Sequence, residues 1–173
     1  MCYLSIWGVL GNGLLAGYVV CWGHDGEKES SGFPPAERFL QVSAGNGHSC
    51  GLTIQHRVRC WGRNVEGQRN APSAKDGPYF SRVSAGHRHT CAVRDAHKSA
   101  DQVVCWGSNY DGESRARFKG LFVDVTTGAQ HSCGLTAAGD VRCWGSDKYG
   151  QSLGQTRIGL RGSFQREGSF RTP

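Results

Sequence analysis

No useful length of this sequence repeats with the 3.6-residue apolar period of an amphipathic helix, so helical bundles are excluded and an all-β architecture is expected. Proline is scarce, 5 residues in 173, and charged residues make up 20% against 38% apolar, which is not the composition of a disordered chain. A chain of this length holds one packed domain with little room for a second, which removes most multidomain enzymes. Glycine is abundant at 26 but has no Gly-X-Y period, so collagen is excluded and a turn-rich sheet fold gains. Asp, Glu, Lys and Arg are all missing from Met1 to Gly23. A cleaved leader would need a basic start and a membrane span a denser apolar run. Gly8, Gly11, Gly13 and Gly17 dilute this segment, so buried β structure is expected and a membrane span is not.

Motifs for chemistry are missing as well. There is no Gly-x-Ser-x-Gly elbow, paired-carboxylate motif or kinase signature. Gly11-Asn12-Gly13 has no Lys-Ser/Thr after it and opens no helix, so no phosphate loop is formed and no cofactor is expected. The net charge of +6 could suit an anionic partner, but half of that balance lies in residues 151–173, where Arg157, Arg161, Arg166 and Arg171 face only Glu167. With no groove-reading motif beside it, the charge predicts no nucleic-acid partner.

What the sequence does contain is a repeat. Phe39-Leu-Gln-Val42-Ser-Ala-Gly45, Phe80-Ser-Arg-Val83-Ser-Ala-Gly86 and Phe122-Val-Asp-Val125-Thr-Thr-Gly128 recur at offsets of 41 and 42. Each is followed by His-Ser/Thr-Cys, at His48, His89 and His131, and then by Cys-Trp-Gly beginning at Cys60, Cys105 and Cys143. A fourth Cys21-Trp22-Gly23 precedes them. A period of this size means a solenoid or a propeller.

Antiparallel strands pair residues whose numbers sum to a constant, so the register can be tested within the sequence. Setting Cys50 opposite Cys60 puts Leu52 against Val58 and His48 against Gly62, with Ser49 against Trp61 on the other face. Cys91 opposite Cys105 puts Val93 against Val103, His89 against Gly107 and Thr90 against Trp106. Cys133 opposite Cys143 puts Leu135 against Val141, His131 against Gly145 and Ser132 against Trp144. Loops of five, nine and five residues preserve one scheme, which unrelated insertions would break by flipping the faces. The first unit fits only with Cys2 opposite Cys21, Leu4 opposite Val19 and a fourteen-residue loop. The segments between units, 32–35, 70–78 and 114–120, read as surface loops, and the tail 154–173 as basic and disordered.

The pattern Val-Ser-Ala-Gly-x-x-His-Ser-Cys-Gly-Leu followed by Val-Arg-Cys-Trp-Gly-x-Asn-x-x-Gly-Gln resembles the regulator of chromosome condensation repeat in its short, cysteine-containing variety. The resemblance covers residues 39–151 well and 1–38 poorly. It implies a β-propeller of four-stranded blades, usually seven to a ring. This chain would then supply a degenerate first repeat (1–38), three good repeats (39–79, 80–121 and 122–153) and the tail. An open arc of blades leaves apolar faces in water, so the chain is expected to be part of a longer array or a protomer that self-associates. Met1 falls inside a would-be strand, which favours truncation.

Within that frame Gly45, Gly86 and Gly128 are expected at positive φ or at close backbone approaches. Trp22, Trp61, Trp106 and Trp144, with Gly23, Gly62, Gly107 and Gly145 after them, are read as blade packing, with sugar stacking by the indoles as the sharper alternative. The histidines are expected to be structural and to bond the next blade. The pairs Cys50–Cys60, Cys91–Cys105, Cys133–Cys143 and Cys2–Cys21 stand at disulfide range across a ladder. Paired thiols and a His-x-Cys…Cys metal set are the alternatives. A nucleophile is singular and a repeated Cys-His pair is structural, so no enzyme is expected.

The expected function is a protein-binding scaffold whose specificity lies in the loops that differ between units, 53–57, 94–102 and 136–140, and in the linkers. The resemblance implies varied partners: small GTPases, β-lactamases, and the unknown ligands of plant receptor-kinase ectodomains. A nucleotide-exchange factor for a small GTPase and a carbohydrate-binding propeller are the rival readings. Disulfides in every unit lean the location to the cell exterior or secretory path.

Overall fold

Strands form where β-branched and aromatic residues alternate with small polar ones, and most of them stop at a glycine-bearing turn. The computed structural model describes residues 2–9, 15–34, 36–72, 79–95, 103–116, 118 and 120–152, with the backbone alone for 2–9 and 15. Gly11-Asn12-Gly13, residues 96–102 of the hairpin loop 94–102 and the tail 154–173 lie outside them. The described residues hold eleven strands and no helix. They are β1 (Cys2–Val9), β2 (Leu15–Cys21), β3 (Phe39–Ala44), β4 (His48–Thr53), β5 (Val58–Gly62), β6 (Phe80–Ala85), β7 (His89–Arg94), β8 (Val103–Gly107), β9 (Phe122–Thr127), β10 (His131–Thr136) and β11 (Val141–Gly145).

All pairing is antiparallel and sequential. Strands β3–β5, β6–β8 and β9–β11 form three blades, and the hairpin β1–β2 joins the first through a single pair, Gly17 with Phe39. The three cysteine-centred registers expected from the sequence are present pair for pair. In the first unit Cys2 stands opposite Cys21 and Leu4 opposite Val19, as expected. The ladder then runs on to Val9 opposite Leu15, so the turn is much shorter than the fourteen residues foreseen.

Because side chains alternate between faces, each blade has two different surfaces. One carries the Cys pair with Leu or Val beside it. The other carries Phe, Val and Trp. The seam between the first and second blades sets Cys50, Leu52 and Val58 against Phe80, Val83 and Trp106. The next seam sets Cys91, Val93 and Val103 against Phe122, Val125 and Trp144. Val19 and Cys21 of the hairpin meet Phe39, Val42 and Trp61 in the same way. The core is therefore a row of seams, and each large apolar side chain fully buried in one contributes about 1.5–3 kcal/mol.

The all-β, blade-built fold is the one expected, with three strands to each blade among the described residues. One expectation is corrected. The linkers are not purely surface loops, because Phe33, Ala71, Ala116 and Phe118 are partly buried and pack against the seams. Phe118 meets Trp144 edge-on at 6.3 Å, an apolar contact that a reading by turn residues overlooks.

Candidate functional site

The seams are tied together by a repeated polar chain. Thr90 donates its hydroxyl to the Gln68 carbonyl at 2.8 Å, so it accepts the Nε2–H of His48 at 2.9 Å. The indole of Trp106 donates to the same Gln68 carbonyl at 2.8 Å. One seam later His89 donates to Ser132 at 2.8 Å, Ser132 to the Glu113 carbonyl at 3.0 Å, and Trp144 to that carbonyl at 2.9 Å. At the hairpin seam Trp61 donates to the Glu29 carbonyl at 3.0 Å. The His48 and His89 rings are wholly buried, and burial pushes each down to about 4 from 6.5.

The carbonyls of Glu29, Gln68 and Glu113 sit in a turn that occurs four times. In each, a Glu or Gln six residues after the Cys-Trp-Gly glycine folds its side chain back onto a backbone N–H two residues earlier: Glu29 onto Glu27, Gln68 onto Glu66, Glu113 onto Asp111 and Gln151 onto Tyr149, at 2.7–2.9 Å. An Asp or Asn two residues after that glycine accepts from the far arm of the turn. Asp25 takes the Ser30 and Ser31 amides, Asn64 that of Arg69, Asn109 that of Ser114 and Asp147 that of Ser152. Hydrogen bonds from Ser31 and Ser30 hold the Asp25 carboxyl down at about 2. Burial raises Glu113, but the hydrogen bonds from Ser108 and its own turn outweigh that and leave it lowered.

Such a frame fixes the turn and throws its tip outward. Val65, Tyr110 and Tyr149 at the tips are 72%, 80% and 81% exposed on three successive blades. Tyr110 reaches across a seam to Glu66, hydroxyl to Oε2 at 3.5 Å. The short loops 45–47, 86–88 and 128–130 share this side of the molecule, and open pockets lie between loop and turn. One of about 450 Å³ is lined by His24, Glu27, Asn46 and Arg63. Another of about 270 Å³ is lined by His87, Arg88, Tyr110, Asp111 and Gln130. Both pockets carry side chains of both charge signs, and Tyr110 lines the second. They suit hydrogen bonding and aromatic contact with another macromolecule.

The cysteines of the three blades are disulfide-bonded, Cys50 to Cys60, Cys91 to Cys105 and Cys133 to Cys143. Those sulfurs are the ones a His-x-Cys…Cys metal set would need. Trp61, Trp106 and Trp144 are buried with their N–H groups committed, so they present no face for a sugar, whereas Trp22 is 49% exposed. Gly45, Gly86 and Gly128 are the close approaches expected, but not at positive φ. A Cβ on Gly86 would lie 2.7 Å from the Gly128 carbonyl. The positive φ belongs to Gly62, Gly107 and Gly145, where the chain leaves the blade. Of the expected specificity loops, 136–140 closes a tight turn through Gly139 to Thr136. In 53–57, His56 spends its ring on the Phe80 carbonyl at 3.1 Å. The motif places a polar turn after each later Cys-Trp-Gly, but the part that the Glu29, Gln68, Glu113 and Gln151 side chains play in holding it is not an expectation of the sequence.

The pattern that defines the regulator of chromosome condensation (RCC1) repeat matches residues 39–68, 80–113 and 122–151, more than half of the chain. Among solved structures, the chain is similar to the ectodomain of the receptor kinase CR4 from Physcomitrella patens, with 29% identity over 81% of this chain and a TM-score of 0.66. It is also similar to the CRINKLY WD40 ectodomain of the receptor kinase ACR4 from Arabidopsis thaliana, with 24% identity over 81% of the chain and a TM-score of 0.58. The yeast RCC1 protein Prp20, solved bound to Kap60, matches at 15% identity over 79% of the chain with a TM-score of 0.53, which is a likeness of fold alone. The chain spans 38%, 46% and 39% of the lengths of those three proteins. Among the described residues no helix is long and apolar enough to cross a membrane.

Proposed function

The chain belongs to the regulator of chromosome condensation (RCC1) repeat family, and from that premise we propose that it is a non-catalytic module that binds a partner protein through the face on which its four polar turns gather. The observation that carries this reading is the row Val65, Tyr110 and Tyr149, held out on turns whose own backbone groups are already satisfied. Exposed tyrosine on a rigid support is what protein interfaces use, because it adds contact area at little entropic cost. The disulfides, together with the likeness to receptor-kinase ectodomains, support an oxidising, extracellular setting for that encounter.

A photo-crosslinking residue placed at Tyr110 or Tyr149, with Gln55 or Ala138 on the opposite face as controls, tests this in the native secretory or extracellular fraction. The expected result is a discrete partner crosslinked from positions 110 and 149 and not from 55 or 138. Crosslinks from the control face alone, or none from either face, overturn it.

A further inference from the structure

Of the four turns that follow Cys-Trp-Gly, the third carries a charge that its own structure does not need. Each frame is closed by a side-chain oxygen of Glu29, Gln68, Glu113 or Gln151 on the amide two residues earlier. An amide oxygen does this as well as a carboxylate, since Gln68 and Gln151 serve in two of the four. Glu29 shares its carboxylate with His24 in an ion pair. Glu113 has no such partner. It is 2% exposed, and its oxygens receive the Ser108 hydroxyl and the Asp111 amide, both neutral groups. Burial works against its charge, yet the hydrogen bonds outweigh burial and keep it ionised at neutral pH. Among the described residues it forms no ion pair with a Lys, Arg or His. His89, whose field reaches it, is uncharged at neutral pH. A carboxylate buried this deeply is rare unless a cation faces it.

Glu113 lines the pocket of about 270 Å³ between turn 108–113 and loops 86–88 and 128–130, together with Tyr110, Asp111 and Gln130. Asp111 is exposed and adds a second carboxylate to the wall. A third, Glu66, meets the Tyr110 hydroxyl at 3.5 Å. Arg88 also lines the pocket, but it is exposed and forms an ion pair with none of the three. Negative charge is therefore in excess around a tyrosine ring that is 80% exposed. On the reading that the turn face binds the partner, we propose that this pocket takes a basic side chain of that partner, arginine or lysine, with its cationic head against the Glu113 and Asp111 carboxylates and its stem along the Tyr110 ring. The entering cation supplies the counter-charge that Glu113 lacks, and the ring attracts the same cation through its π face. An acidic side chain would be repelled by all three carboxylates. The larger pocket on this face is different, because Arg63 lines it and its Glu29 is already paired with His24.

The test titrates the full, oxidised, isotope-labelled chain in NMR with acetyl-Gly-Arg-Gly-amide and its lysine analogue. The same peptide with citrulline, which keeps the shape of arginine without the charge, and with glutamate are the controls. Amide signals of residues 108–114 and of Gln130 are expected to shift with the basic peptides and not with the controls. Glu113→Gln keeps the oxygen that closes the turn, as Gln68 and Gln151 do. It is expected to weaken binding of the arginine peptide at least about tenfold, with the signals of the other blades unmoved to show that it is folded. No shift with either basic peptide, equal shifts with citrulline or glutamate, shifts confined to other parts of the chain, or equal affinity in Glu113→Gln would overturn the proposal. Crosslinking from position 149 separates this from the choice of face. A partner captured as strongly in Glu113→Gln as in the wild type keeps the turn face and removes the pocket from it, whereas no capture from 110 or 149 removes the face however the peptides behave.

Discussion

His48 on β4 lies 2.9 Å from Thr90 on β7, Nε2 to Oγ1, a buried bond between two blades that neither blade can make alone. The Thr90 hydroxyl is already committed to the Gln68 carbonyl, which fixes the tautomer of His48 and makes the histidine the donor. Thr90→Val keeps the branched shape and leaves the His48 N–H buried without an acceptor. It should cost about 1–3 kcal/mol in urea unfolding of the oxidised protein. Thr90→Ser keeps the hydroxyl and should cost less than about 1 kcal/mol. Equal losses for both would show that the methyl group, and not the bond, matters here.

Stability should fall as pH drops from about 6.5 towards 4. His48 and His89 are held near 4 in the folded protein because burial disfavours the charged ring, against 6.5 when unfolded. The unfolded chain therefore takes up protons in this window while the folded chain does not, and below it the loss is complete. A shift of this size amounts to about 3 kcal/mol for each ring. Urea midpoints measured across the window should show the loss, and His89→Gln should flatten the slope by about half. An unchanged slope in that variant would place the protons elsewhere.

The blades were legible because the Cys, Leu and Val pairs recur in one register whatever the loop length. His48, His89 and the buried tryptophans could be placed from the same ladder. The turns themselves were legible in the motif after Cys-Trp-Gly, but the bonding that holds them through Glu29, Gln68, Glu113 and Gln151 was not. What gives them their role is a side chain folded onto a backbone amide two residues back, which no hydrophobic period reports. Phe118 and Phe33 were assigned to surface loops for a related reason. Their neighbours are turn formers, and only the neighbouring blade reveals what an aromatic residue there covers.

Two glycines with similar backbone conformation should respond very differently to alanine. Gly107 and Gly112 have φ of +98° and +84°. A Cβ on Gly107 would lie 2.6 Å from the Arg88 carbonyl and 2.9 Å from the His89 Cα, whereas on Gly112 it would meet nothing within 4 Å. Gly112→Ala should cost only the conformational strain, about 1–2 kcal/mol. Gly107→Ala adds a clash with backbone that cannot yield, so its unfolding midpoint should fall well below that of Gly112→Ala. Similar midpoints would mean that the strand end at 107 gives way freely.

Removing the Cys91–Cys105 disulfide should destabilise the protein more than removing Cys133–Cys143. Loop-closure entropy barely separates the two. Their sequence separations are 14 and 10, and that difference amounts to about 0.3 kcal/mol, against a gain of about 3 kcal/mol for either bond. Packing separates them further. Cys91 is fully buried in the seam beneath Phe122, Val125 and Trp144, whereas Cys133 lines an open slot of the third blade. Replacing each pair by serine therefore leaves a fully buried hydroxyl at 91 beside a partly buried one at 105 in one case, and a partly exposed hydroxyl at 133 beside a buried one at 143 in the other. A gap well above 0.3 kcal/mol between the double variants in denaturant titrations assigns the excess to the seam. A gap no larger than that would mean that the bonds act through the unfolded chain alone.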